Sequence, residues 1–356
     1  KIMLAGKLLL SAAAALHVPS RAAPFAPHAL EVRSAQPVML ASKPTMTSAR
    51  LLKLSLFAGI SCASVKSGGS ISKAMGLKAI AGSIVATLPG LIDGHLAVSF
   101  GYGLAMIWIG NLFLPTCKGS PSALLSIAYV LYGVKVVIFQ LARDSRPEYV
   151  AKALAPDRTK TTRSKSLAAR LPFVLSIGLL LSTFCLPLHT ASLVSANGPP
   201  SQWGTRAWGV LYSSAAALFG LLFQTIADRQ KFKHKARNGA DAPCFCGLWS
   251  VSRHPNYLGE IVFQLGILGA AWSGATTVAN AWLSLLAPAT FVSIMLASTR
   301  SLEARQEEAY GSLPDYTAYK EATPLLFDAE ITARATFRWL FPGGWVGETE
   351  SSPKDQ

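Results

Sequence analysis

Apolar stretches of about twenty residues recur along this chain, and they constrain its fold more than any other feature. A helix needs about 20 predominantly apolar residues to cross roughly 30 Å of hydrocarbon. Inside a bilayer only helices and closed barrels satisfy their own backbone polar groups. Seven such stretches lie near 74–92, 95–115, 122–142, 171–196, 207–227, 260–276 and 279–298, with 51–65 a further candidate. The sixth is short and glycine-rich, as a half-span packed within the bundle would be. Hydrophobic residues make up 51% of the chain and charged ones only 14%, with a mean hydropathy of +0.36. That composition belongs to the membrane class. The expected fold is an all-α, polytopic membrane helix bundle of about seven spans.

The formal charge of +15 would suggest nucleic acid in a soluble protein. Here the basic residues gather between apolar stretches, which is the positive-inside pattern and points to membrane lipid as the surrounding partner, with no nucleic acid. Segment 143–170 holds Arg143, Arg146, Lys152, Arg158, Lys160, Arg163, Lys165 and Arg170 against Asp144, Glu148 and Asp157. Segment 228–259 holds Arg229, Lys231, Lys233, Lys235, Arg237 and Arg253, whereas the connector 197–206 carries only Arg206. Two spans separate the basic segments, so both share one side with 299–328. The charge rule makes that side cytoplasmic or stromal.

One block departs from the apolar background. Residues 247–260, Gly-Leu-Trp-Ser-Val-Ser-Arg-His-Pro-Asn-Tyr-Leu-Gly-Glu, hold Arg253, His254, Asn256, Tyr257 and Glu260 directly before an apolar run. Ionisable groups at a membrane edge are costly to desolvate, so a cluster of them marks a functional site; a single such residue would be read as a snorkelling anchor. Guanidinium forks and amides suit phosphate oxygens. Pro255 fits the first turn of a helix, and Gly247 and Gly259 permit close backbone approach.

Arg-His-Pro-Asn-Tyr-Leu-Gly-Glu (253–260) after Gly-Leu-Trp (247–249) resembles the C-terminal domain shared by steroid 5-alpha-reductases and their DUF1295 relatives. Ala227-Asp228-Arg229-Gln230-Lys231-Phe232 is similar to the family's Asp-x-Gln-Lys element, and Glu303, Arg305, Tyr310-Gly311 and Tyr319 are similar to its tail. The resemblance covers roughly 75–328 and is best in 207–325. It implies an NADPH-dependent reduction of a carbon–carbon double bond in a lipophilic, sterol- or isoprenoid-like substrate, in a polar cofactor cavity on the cytoplasmic or stromal side. Carried over residue by residue, it implies cofactor contacts from Asp228, Lys231, Arg253, His254, Asn256, Tyr257, Glu260, Glu303, Arg305 and Tyr319. His254 has an alternative role as a satisfied polar residue. Tyr132-Gly-Val-Lys135 resembles a Tyr-x-x-Arg element whose tyrosine bonds the substrate carbonyl, which makes Tyr132 the candidate catalytic acid. Lysine stands here in place of arginine and lacks its planar fork.

The chain shows no Gly-x-Gly-x-x-Gly between a strand and a helix, so a Rossmann site is excluded and any dinucleotide must lie among helices and loops. Two other functions stay open. An S-adenosylmethionine-dependent membrane methyltransferase of the isoprenylcysteine or phospholipid type shares an Arg-His-Pro-x-Tyr-x-Gly core, although Asn256, Glu260 and 228–231 fit the reductases better. A non-catalytic sterol- or lipid-binding protein could keep the same fold.

The remaining features read more simply. Segment 1–50 contains Glu31 as its sole acid, and Leu4 to Leu16 has the length of a signal-peptide core. Arg21 to Pro27 resembles the cleavage context of bipartite plastid-targeting leaders. An organelle-targeting leader is therefore expected, with a disordered tail or a secretory signal as alternatives. Segment 51–73 reads as a linker or extra apolar segment, 74–328 as the membrane domain and 329–356 as a tail. The expected location is the plastid or endoplasmic reticulum membrane. Asp93 reads as a helix cap. Cys62, Cys117, Cys185, Cys244 and Cys246 contain no Cys-x-x-Cys pair, so they read as free thiols, and no metal site is expected.

Overall fold

The computed structural model describes residues 73–117, 119–144, 166–194, 199–239 and 242–328. The leader expected at 1–50, nearly all of the 51–73 segment and the 329–356 tail lie outside the described residues. Among those residues there is no strand; the chain forms an all-helical bundle.

The apolar stretches become helices much where their lengths place them. In chain order these are α1 (Lys73–Thr87), α2 (Gly94–Phe113), α3 (Ser122–Asp144), α4 (Leu167–Ser182), α5 (Cys185–Ser192), α6 (Thr205–Asn238), α7 (Pro255–Gly274), α8 (Val278–Leu283), α9 (Leu286–Tyr310) and α10 (Pro314–Ala322). Among the described residues, six segments are long and apolar enough to cross a membrane: Lys73–Leu91, Gly94–Phe113, Ser122–Asp144, Leu167–Ser192, Thr205–Asn238 and Val278–Tyr310. The sixth expected stretch forms α7, which falls outside that set, its apolar run being interrupted by Glu260 and Gln264. It is nevertheless a helix of 20 residues, about 30 Å long, rather than a half-span.

Local sequence explains where the helices start and stop. Asp93 caps α2 as expected, its Oδ1 accepting from the His95 N–H at 3.0 Å. Pro255 opens α7, where its missing N–H costs nothing. Pro187 has no N–H for the carbonyl of Thr183, and α4 gives way to α5 at Thr183 and Phe184. Pro288 stands in the same relation to Ser284, between α8 and α9.

Helix α7 is central. It packs most extensively on α6 and also touches α5, α9 and α3. Small residues let α6 and α7 approach closely, as membrane helix pairs do. A Cβ added at Gly259 would lie 2.6 Å from the Gln224 backbone nitrogen and 2.8 Å from the Gly220 carbonyl oxygen. Backbone atoms cannot step aside, so Gly259→Ala should cost about 1–3 kcal/mol by overpacking. Thermal unfolding in detergent checks this, and an unchanged midpoint would show that the two helices tolerate separation. Outward faces carry exposed Leu77, Val85, Ile92, Phe219, Trp272 and Trp282, the surface that lipid would cover.

Candidate functional site

Polar side chains are concentrated in two layers of the bundle, one buried among aromatic rings and one at the end where α3, α6 and α9 finish and α7 begins.

The buried layer centres on Glu260, on the second turn of α7. Tyr132 of α3 donates its hydroxyl to Glu260 Oε2 at 2.8 Å. Tyr102 of α2 donates to Oε1 at 3.3 Å. Gln264, one turn further along α7, donates to Glu260 Oε1 at 2.8 Å and to the Tyr102 hydroxyl at 2.8 Å. All four side chains are buried. Aromatic rings wall them in: Tyr132 stacks on Phe263 with centroids 4.3 Å apart, and Tyr102 lies 4.3 Å from Phe291 and 5.6 Å from Phe184. A carboxyl group in such a place must be hydrogen-bonded to be tolerated, and three donors meet that requirement.

The second layer lies at the basic end. Lys135 sits one turn beyond Tyr132 on α3 and reaches Asp228 of α6, Nζ to Oδ2 at 2.7 Å, and Gln224 Oε1 at 3.1 Å. Glu303 of α9 holds two motif residues, Arg253 Nη1 at 2.8 Å and His254 Nε2 at 2.6 Å. The Arg253 backbone N–H donates to the Pro324 carbonyl at 2.9 Å. Tyr319 of α10 donates to the Trp249 carbonyl at 2.6 Å, and the Trp249 indole donates to the Ala227 carbonyl at 3.0 Å. Burial pushes the Tyr319 phenol well above its usual range, with Cys244 adding to the effect, so it stays a donor. Lys231 stands 4.5 Å over the Trp249 ring. These bonds lace the motif block to α6, α9 and α10.

Gly247 allows that lacing. Its φ of +64° favours glycine, and a Cβ there would run into the Gln230 side chain, 2.5 Å from its amide nitrogen. The neighbouring Leu248 N–H donates to Gln230 Oε1 at 2.8 Å.

The residues singled out in the sequence therefore gather in one region but divide by task. Asp228, Lys231, Arg253, His254, Glu303 and Tyr319 are engaged with other parts of the protein. Tyr257 stacks on His254 at 5.8 Å, and Arg305 is exposed. Asn256 is half-buried and its side chain has no hydrogen-bond partner among the described residues, and the buried Nε of Arg253 also lacks one. Glu260 lies a turn deeper, with Tyr132. Tyr102 and Gln264 were not singled out by the sequence. For Gln264 the signal is present, since it is a polar residue in an apolar run on the same helix face as Glu260. For Tyr102, no local pattern exists.

At the basic end the cysteines read as free thiols have company: His234 of α6 stands beside Cys246, with Cys244 adjacent. Cys246 is lowered to about 6, because Cys244 donates to it and His234 lies near. The bond to Cys246, then burial, pushes Cys244 well above its ordinary value.

The sequence model of a family described as "Protein of unknown function (DUF1295)" matches residues 95–323. No curated protein and no solved structure matches the chain.

Proposed function

Because that match spans well over half of its length, the chain belongs to the DUF1295 family, and from that premise we propose that it is an NADPH-dependent membrane oxidoreductase. The reading has it reduce a carbon–carbon double bond, of enone or sterol/isoprenoid type, in a lipophilic substrate. The observation that carries it is the hydrogen-bonded Tyr132–Glu260 pair, buried one helical turn below a basic loop with uncommitted donors. Asn256 and Glu260 are four residues apart on α7, about 6 Å along its axis. A cofactor held at the loop would thus lie above a substrate held at the pair.

The residues fit an anionic dinucleotide. The Asn256 side-chain amide and the Arg253 Nε lack protein partners among the described residues, and the surrounding Arg229, Lys233 and Arg305 suit an additional phosphate. Lys231, His254 and Tyr257 border the same loop, while Asp228, Glu303 and Tyr319 hold it in place. Bound there, NADPH would supply hydride. The protein's part is the other half of the reaction. As an enone accepts hydride at its β carbon, negative charge grows on the carbonyl oxygen and needs a donor. Tyr132 can give that hydrogen bond by turning its single hydroxyl proton from Glu260 Oε2 to the substrate oxygen, with Glu260 holding the phenol in place until then. Tyr102 and Gln264 fix the carboxyl group, and Phe184, Phe263 and Phe291 exclude water. An apolar substrate would enter from the lipid and the cofactor from the cytoplasmic or stromal side, in a plastid or endoplasmic reticulum membrane.

Binding tests the reading. Losing a hydrogen bond to a charged group costs roughly 1.5–3 kcal/mol, so Asn256→Ala and Arg305→Ala should each weaken NADPH about ten- to a hundredfold. Neither side chain bonds another helix, so thermal stability should hold. The detergent-solubilised wild type is titrated with NADPH and with S-adenosylmethionine. Binding of S-adenosylmethionine alone would make it a methyltransferase, and binding of neither would leave a lipid-binding protein.

A further inference from the structure

Beyond the motif, the last turns of α6 and the returning chain build a second polar cluster. Helix α6 ends at Gly239, whose φ of +99° turns the chain back. The return brings Cys244 and Cys246 alongside His234. Cys246 Sγ lies 3.9 Å from Cys244 Sγ and 3.8 Å from His234 Nδ1, and all three atoms fall within 4.8 Å of one another. We propose that His234, Cys244 and Cys246 form a zinc site, a Cys₂His set with its fourth position open to solvent.

Distances favour a cation over the alternatives. Tetrahedral zinc has Zn–S bonds of about 2.3 Å and Zn–N bonds of about 2.0–2.1 Å, which sets neighbouring ligands about 3.6–3.8 Å apart. The two shorter separations are close to those edges. A disulfide would need the sulfurs at about 2.05 Å. Two thiolates and an imidazole are soft and borderline ligands, suited to zinc and unsuited to magnesium or calcium. Cys246 is exposed, so a water can complete the tetrahedron and the ion has an entry path, while the buried Cys244 anchors the inner side. The Asn238 amide, 3.2 Å from His234 Nδ1, would give up that contact to the metal. Cys-x-Cys spacing alone does not signal zinc; the third ligand comes ten residues earlier, from the helix that the loop folds back against.

Position suggests what the ion does. The clamped loop leads directly into Gly247, where Gln230 of the same helix receives the Leu248 N–H. Zinc there would tie the motif block to α6 whatever the protein's reaction.

Metal content tests this without any activity measurement. The full-length chain in detergent is loaded with zinc, desalted and analysed by mass spectrometry for metal. It is also titrated with Co²⁺ while thiolate-to-metal charge-transfer absorption is followed. Wild type should retain about one zinc per chain and show the charge-transfer band. Losing an outer-shell partner already costs about ten- to a hundredfold in affinity, so Cys246→Ser and His234→Ala should lose more than about a hundredfold. Because Cys246 is exposed, its serine variant will fold even if replacing Cys244 does not. A wild type that keeps no zinc and shows no charge-transfer band would overturn the site, as would a Cys246→Ser protein that holds as much metal as wild type.

Discussion

Tyr132→Phe is expected to lower the turnover of an enone substrate by about 10²–10⁴-fold, the usual worth of a positioned general acid, while NADPH affinity stays unchanged. The substitution removes one oxygen and leaves the ring stacked on Phe263. Glu260 loses its 2.8 Å donor on Oε2 but keeps Tyr102 and Gln264 on Oε1, so the bundle should persist. Tyr102→Phe leaves Tyr132 on the carboxyl group and should cost less. The measurement is single-turnover oxidation of NADPH with substrate present, beside a binding titration. An unaltered rate would remove Tyr132 from the chemistry, and a loss that tracks NADPH affinity would place it at the cofactor instead.

The pairing behind that prediction shows where sequence reading reaches and where it stops. Helix positions were legible because a bilayer-length apolar run admits few structures, and Asp93 acts through its nearest neighbours; the breaks associated with Pro187 and Pro288 fall inside stretches read as single spans. The motif block was legible as a cluster because charge beside an apolar run is rare. Its internal division of labour was not. That Glu303 would occupy Arg253 and His254, or that Lys135 would occupy Asp228, depends on which helix ends meet, and those are set by packing of small residues such as Gly220 and Gly259. Tyr102 meets Glu260 across 158 positions of sequence, and no spacing rule spans that distance. His234 joins Cys244 and Cys246 only because α6 outlasts its apolar part and the chain then reverses.

Asp228 is where the resemblance and the geometry pull apart, and its substitution separates them. The family likeness gives it a cofactor contact, whereas the structure gives it Lys135 at 2.7 Å, both side chains only 12% exposed. Removing one partner of a buried ion pair strands the other, at about 3–5 kcal/mol. Asp228→Ala should therefore lower the unfolding midpoint markedly, because Gln224 Oε1 alone cannot neutralise the Lys135 ammonium group. Replacing both partners by apolar residues removes the stranded charge, and such swaps are often neutral. The double variant Lys135→Met with Asp228→Leu should thus regain most of the lost stability. NADPH affinity then decides the role. If the double variant is stable and binds as wild type, Asp228 is structural; if it is stable and binds at least tenfold more weakly, the carboxylate also serves the cofactor. A single Asp228→Ala protein that melts with wild type would sink the ion pair as a source of stability.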